Sequence, residues 1–317
     1  MRKNSPPKIV VIGGGTGVFT ALSGLKQYPV DLTAIVSSAD DGGPNGVLRE
    51  EFGILPPGDM RKALLAMAFP NDQVLFDLFN YRFQEGRLKG YSCGSIILTA
   101  LERITGDFPR AIKEAGRLLG VRGEVLPVAR RNARLFAELE DGTVIRGETN
   151  IDIPKHDGKL KIINVWLEPA ARANREAIRA IRTADVIVIG PGDLYTSIIP
   201  NFLVKGIPRA IKKSRGRKVY VTNIMTKWGE THGFAAADFT SALEKYLGKD
   251  VLDYVCINTT RPSASRRARY EHESSECVEK GELDKNKKYI FGNFIRSRGF
   301  IRHDPDRLAQ VLLKLVK

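Results

Sequence analysis

Cysteine is scarce in this 317-residue chain: Cys93, Cys256 and Cys277 stand far apart, and no C-x-x-C occurs. That number and spacing exclude a disulfide framework and a cysteine zinc site, and leave buried structural thiols as the expectation. Histidine is equally sparse. His156, His232, His272 and His303 keep no metal-ligand spacing and form no recognisable Ser-His-Asp arrangement. Surface roles are expected for them, with only His232 beside a loop of interest. No apolar run approaches the ~20 residues that span a bilayer. The basic start, Met1–Lys8, leads into an apolar run at Ile9–Ile12 that is too short for a signal peptide. A cytoplasmic protein without membrane insertion is the expectation. Acidic residues are the minority, 36 against 50 Lys and Arg, for a formal net charge of +14. Such a balance favours anionic partners, and solubility explains it equally well. Aromatics do not interleave the basic residues as single-strand nucleic-acid binding requires. A nucleotide-type small molecule is therefore the expected partner, and nucleic acid is not.

With 43% hydrophobic residues the chain can build a large core. Lys8–Ile12 (KIVVI), Asp31–Ser38, Asp185–Ile189 (DVIVI), Arg217–Asn223 and Val251–Asn258 are β-branched apolar runs of the kind buried on both faces of a parallel sheet. Helical spacing follows the first (Phe19, Leu22, Leu25), so the chain opens as βαβ. Met60–Phe69, Gln73–Phe83, Ser95–Arg103 and Phe108–Leu119 read as helices. Between Glu124 and Ile163 alternating runs are broken by Asp141-Gly142 and Asp157-Gly158, a hairpin signal. Ile290–Ile295 reads as an edge strand and Pro305–Val316 as a closing helix. The expected fold class is α/β: a Rossmann-like, doubly wound, mainly parallel sheet with inserted helices and a small β-hairpin region. One nucleotide-binding domain, 1–317, would carry a helical insertion at about 56–120, a β-rich insertion at about 121–165 at one sheet edge, and a charged segment from about 259.

Four loops follow the strongest strands, where open α/β sheets bind ligands. Gly13, Gly14, Gly15, Thr16 and Gly17 lead into a helix, whose N-terminus suits phosphate. Val18 occupies the place where a dinucleotide fingerprint needs glycine, and no Walker lysine follows. Asp40, Asp41, Gly42 and Gly43 come next. The two carboxylates suit Mg²⁺ or ribose hydroxyls, and Arg49 suits a phosphate. Gly190, Pro191 and Gly192 repeat the strand–glycine logic. In the fourth loop Asn223 can read a base edge, while Thr226, Gly229, Glu230 and Thr231 offer groups for a sugar or base. A weaker element holds Asp59, most simply a helix N-cap, and Arg61, a phosphate partner or a solvated charge. The basic Ser263–Arg269 run reads as a solvated loop able to contact phosphate.

Five segments in order resemble one family: Gly13–Gly17 after KIVVI, DDGG at Asp40–Gly43, LPPGDMRKAL at Leu55–Leu64, GPGDLYTSIIPN at Gly190–Asn201 and NIMTKWGET at Asn223–Thr231. The chain is similar over about residues 8–310 to the YvcK-type gluconeogenesis factors, relatives of the CofD-like 2-phospho-L-lactate transferases. The resemblance implies a Rossmann-like fold and a nucleotide site between these loops. For the first group it implies binding of UDP-sugars such as UDP-N-acetylglucosamine and a role in cell shape and envelope synthesis on gluconeogenic carbon. For the transferases it implies phospholactyl transfer from a guanosine diphosphate donor with Mg²⁺. Departures cluster in the same segments. Pro44-Asn45 replaces a Ser pair, Val47 an arginine, and Tyr91 and Ser95 a His and an Asn. Asp193 replaces Ser, and Lys227-Trp228 replaces Gln-Pro. Three readings follow. The first is a non-catalytic UDP-sugar-binding regulator with no tightly bound cofactor. The second is a Mg²⁺-dependent transferase using Asp40 and Asp41 for metal and Asp41 or Glu230 as base. The third is an NAD(P)-dependent oxidoreductase. A homo-oligomer, as a dimer, is the base-rate expectation.

Overall fold

Apolar residues alternate between two cores along every central strand. The computed structural model describes residues 5–316, so the Met1–Asn4 part of the basic start lies outside the described residues. The strands are β1 (Lys8–Gly13), β2 (Asp31–Val36), β3 (Glu124–Pro127), β4 (Arg134–Leu139), β5 (Val144–Arg146), β6 (Ile162–Glu168), β7 (Val186–Ile189), β8 (Arg217–Val221), β9 (Tyr254–Asn258) and β10 (Lys288–Gly292). Seven of them form one parallel sheet in the order β10-β9-β8-β7-β1-β2-β3. Val10, Ile12, Ile187, Ile189 and Tyr220 enter the core on one face. Ile9, Val11, Val186, Val188, Val219 and Val221 enter the other. Both faces are covered, which is why the strands read as unbroken apolar runs. Each such side chain contributes about 1.5–3 kcal/mol by leaving water.

The helices are α1 (Gly15–Leu25), α2 (Gly43–Phe52), α3 (Pro57–Met67), α4 (Gln73–Asn80), α5 (Cys93–Thr105), α6 (Phe108–Leu118), α7 (Glu148–Asp152), α8 (Arg175–Thr183), α9 (Ile199–Leu203), α10 (Ile207–Lys213), α11 (Ala236–Leu247), α12 (Ala264–Glu271) and α13 (Pro305–Leu313). A π-helical turn, Leu194–Ile198, precedes α9. No helix among the described residues is long and apolar enough to cross a membrane.

Three expectations are corrected. The run at Glu124 belongs to the main sheet as its edge strand β3, beside β2, because Val125 and Leu126 are buried there. The separate β unit is the antiparallel sheet β5-β4-β6. It lies over a face of the main sheet rather than at its edge. Leu135, Ala137 and Val165 share a core with Ile187 and Ile189, and Tyr246 Oη of α11 accepts a 3.0 Å hydrogen bond from Val165 N. The basic Ser263–Arg269 run is helical from Ala264, within α12. Its Arg266 is spent on the main-chain carbonyls of Gly299, Arg296 and Phe300.

Candidate functional site: a cavity at the sheet switch point

β1 is flanked by β2 on one side and β7 on the other, so the chain reverses its winding direction between β1 and β7. A crevice opens there, outside the carboxyl ends of the strands. A cavity of about 300 Å³ fills it, lined by Gly14–Gly17, Pro191–Asp193 and Asn223–Lys227. Tyr270 of α12 and Arg302-His303 border it as well. Three of the four glycine or polar loops thus meet around one space.

Two glycines make the meeting possible. A Cβ on Gly17 would stand 2.2 Å from Pro191 O and 2.8 Å from Gly192 Cα, so the two loops touch backbone to backbone. A Cβ on Gly14 would stand 2.8 Å from Asp59 Oδ2. Asp59 is not the N-cap of its own helix α3, where Pro56 holds that place. Its carboxylate accepts a 2.8 Å hydrogen bond from Gly15 N at the start of α1 and pairs with Lys62 at 2.9 Å. Thr16 and Gly17 follow in the first turn, whose N–H groups have no carbonyl one turn back. Anions are favoured at such an end.

Asn223 borders the cavity and its Oδ1 accepts from Gly192 N at 3.3 Å. Thr226 Oγ1 accepts from Glu276 N at 2.8 Å, fixing the loop to the strand of chain behind it. Gly229, Glu230 and Thr231 lie outside the cavity lining. Glu230 is only 3% exposed and organises the wall from behind: it accepts from Tyr195 N at 3.1 Å and Thr196 Oγ1 at 3.0 Å. Burial pushes its carboxyl up to about 7, with nearby Lys227 opposing the rise. Thr231 Oγ1 accepts from Lys227 N at 3.0 Å.

The second loop stands apart from this cavity. Asp40 Oδ1 accepts from Gly42 N at 2.9 Å and its Oδ2 from Asn45 Nδ2 at 3.0 Å. Ser95 Oγ donates to Asn45 Oδ1 at 3.3 Å. Asp41 turns elsewhere: its Oδ1 accepts from Thr149 N at 3.0 Å and Thr149 Oγ1 at 3.1 Å. Neighbours in sequence, the two carboxylates serve different partners. Burial and then the Asp59 charge push Asp40 up to about 6. Arg49 is 6% exposed and donates to Ala133 O at 2.8 Å, tying α2 to the entry of β4. Arg61 is also buried and donates to Phe79 O at 3.3 Å, so it is neither a solvated charge nor a residue of the cavity.

Two residues of this region, Glu148 and His303, carried no motif. Glu148, half-buried at the start of α7, is pushed up to about 10 by burial and then by the charges of Asp40, Asp152, Asp59 and Glu230. His303 was expected at the surface and is instead 6% exposed beside the cavity. Its burial holds the imidazole down to about 4, hence neutral at pH 7. Lys227 Nζ, on the cavity wall, pairs with Asp152, with Asp193 at 3.1 Å and with Glu230 at 3.3 Å. Burial opposes the ammonium charge, yet the three carboxylates hold its pKa above the ordinary lysine value.

Comparison with known proteins adds the lineage. Residues 9–293 match the family described as 2-phospho-L-lactate transferase CofD. A gluconeogenesis factor of Halalkalibacterium halodurans is 43% identical, over 96% of this chain and 95% of that one. A gluconeogenesis factor of Bacillus subtilis is 42% identical, over 98% of each. A crystal structure of a Bacillus halodurans protein superposes with a TM-score of 0.92 at 41% identity, covering 98% of this chain and 100% of that one.

Proposed function

This chain belongs to the CofD family and stands among its gluconeogenesis factors, and we propose that it is a regulator that binds a nucleotide diphosphate sugar, of the UDP-N-acetylglucosamine type, without turning it over. The observation that carries this reading is the cavity at the β1/β7 switch point. It joins the N-terminus of α1 to the loops after β7 and β8 in one space of about 300 Å³. The diphosphate would lie against Gly14–Gly17, where helix N–H groups meet an anion. Asn223, Thr226 and Tyr270 border the remaining space and offer an amide, a hydroxyl and an aromatic ring for the nucleoside.

The candidate bases favour binding over chemistry. An acceptor alcohol would need a base within hydrogen-bond reach, and the two carboxylates that the sequence offered are already engaged. Asp41 is held by Thr149, and Glu230 accepts from Tyr195 and Thr196 behind the cavity wall. The role that follows is sensing of an envelope precursor, coupling cell-wall synthesis to growth on gluconeogenic carbon. Isothermal titration with UDP-N-acetylglucosamine, UDP-glucose, GDP and NAD tests it. Saturable binding of the UDP-sugars, with the ligand recovered unchanged after incubation, supports the reading; release of UMP or UDP, or binding of NAD alone, refutes it.

A further inference from the structure

The transferase relatives raise the question of a divalent cation, and the side chains here answer it unfavourably. Mg²⁺ wants several oxygen ligands around one point, commonly one or two carboxylates beside substrate phosphates. Asp40 and Asp41 do not converge on one point: Asp40 accepts from Gly42 N and Asn45 Nδ2, while Asp41 turns to Thr149. Among the described residues the place where three metal-capable side chains converge is Asp152, Asp193 and Glu230, whose ligand atoms lie within 4.8 Å of one another. The Lys227 ammonium pairs with all three. It reaches them from the loop after β8, while Asp152 ends α7 and Asp193 follows β7. The Lys227 ammonium stands 3.1 Å from the Asp193 carboxylate.

We propose that the Lys227 ammonium takes the place a divalent cation would occupy among Asp152, Asp193 and Glu230, so that the cavity receives its ligand without a metal. The inference rests on the ligand reading above for its second half only. An ammonium is a compact point charge with three donors, matching three carboxylates. As a covalent part of the wall it neutralises one of the three charges permanently. A metal would have to expel it and break its charge-assisted contacts with all three carboxylates.

The test titrates Mn²⁺ alone, with no nucleotide, into wild type, Asp152→Asn, Lys227→Gln and Lys227→Gln/Asp152→Asn, read by electron paramagnetic resonance of free Mn²⁺ and by melting. Wild type and Asp152→Asn are expected to take up Mn²⁺ equally weakly. Lys227→Gln should gain a site and melt higher with Mn²⁺, and the double variant should bind about 10-fold more weakly or worse. Wild-type uptake that Asp152→Asn abolishes would overturn the proposal, and that arm requires no change at Lys227. So would a folded Lys227→Gln that gains no site. With UDP-N-acetylglucosamine, wild-type affinity should agree within about twofold between EDTA and Mg²⁺ buffers. A strict Mg²⁺ requirement would overturn the metal-free half. Absence of all nucleotide binding would overturn that half together with the ligand reading, and leave the Mn²⁺ result standing.

Discussion

Replacing Gly17 by alanine probes the contact on which the cavity depends. The added Cβ would sit 2.2 Å from Pro191 O, 2.5 Å from Pro191 C and 2.8 Å from Gly192 Cα. All three are main-chain atoms, so no side chain can rotate away. The loops after β1 and β7 must separate by about an ångström to restore van der Waals distance. Gly17 lies inside the first turn of α1, where alanine is otherwise the better helix former by roughly 1 kcal/mol. Overpacking of this kind costs ~1–3 kcal/mol, and the rigid backbone partners put Gly17 at the upper end. The net destabilisation is then about 1–2 kcal/mol. For a chain of this size that is a drop of about 1.5–3 °C in melting temperature. Affinity for a nucleotide diphosphate sugar should fall by more than stability does, because the displaced backbone lines the cavity. Differential scanning calorimetry and calorimetric titration of the same preparation separate the two. A Gly17→Ala protein that melts at or above wild type and binds normally would refute the argument.

Other perturbations have signs fixed by the structure. Gly43 has a φ of +44° and open space where a Cβ would go, so Gly43→Ala should cost only the left-handed backbone penalty, ~1–2 kcal/mol, without altering ligand affinity. Asp59→Ala removes the acceptor of Gly15 N and the partner of Lys62; a loss of about 0.5–2 kcal/mol is expected by chemical denaturation, as for a lost cap. Glu148 ionises near 4.5 when unfolded and at about 10 when folded, so between those values the folded state binds the extra proton. Its contribution to stability therefore falls as pH rises through that window. Glu148→Gln should flatten the decline in melting temperature from pH 5 to pH 9, and an unchanged profile would show that Glu148 does not carry it.

The sheet was legible because its strands are buried on both faces: KIVVI and DVIVI leave little else for those residues to form. The loops at their ends were legible for the same reason, since a glycine run after such a strand has few other uses. The strand at Glu124 was misplaced because a short run such as EVLP carries no mark of the sheet it joins; only its pairing with Thr33–Val36 decides. Side-chain assignments fared unevenly. Arg49 and Arg61 carry charge and sit in conspicuous segments, yet both are used internally, on Ala133 O and Phe79 O. Asp59 caps a helix, but α1 rather than its own. Glu148, Asp152 and His303 join the site from segments distant in sequence, with no pattern around them. Sequence displays which residues can bond; which partner each one meets is set by the crossing of loops far apart in the chain.

The central claim is that the switch-point cavity binds a nucleotide diphosphate sugar, and the most direct measurement is a titration of UDP-N-acetylglucosamine into wild type and Gly17→Ala in EDTA buffer. The account predicts saturable one-to-one binding by wild type, weakened in the variant, with a rise in wild-type melting temperature worth roughly 2.7 kcal/mol at 100 times the dissociation constant. No heat and no stabilisation with wild type, with or without Mg²⁺ and across UDP-glucose and GDP, would contradict it and reduce the glycine loops to turns that close the sheet.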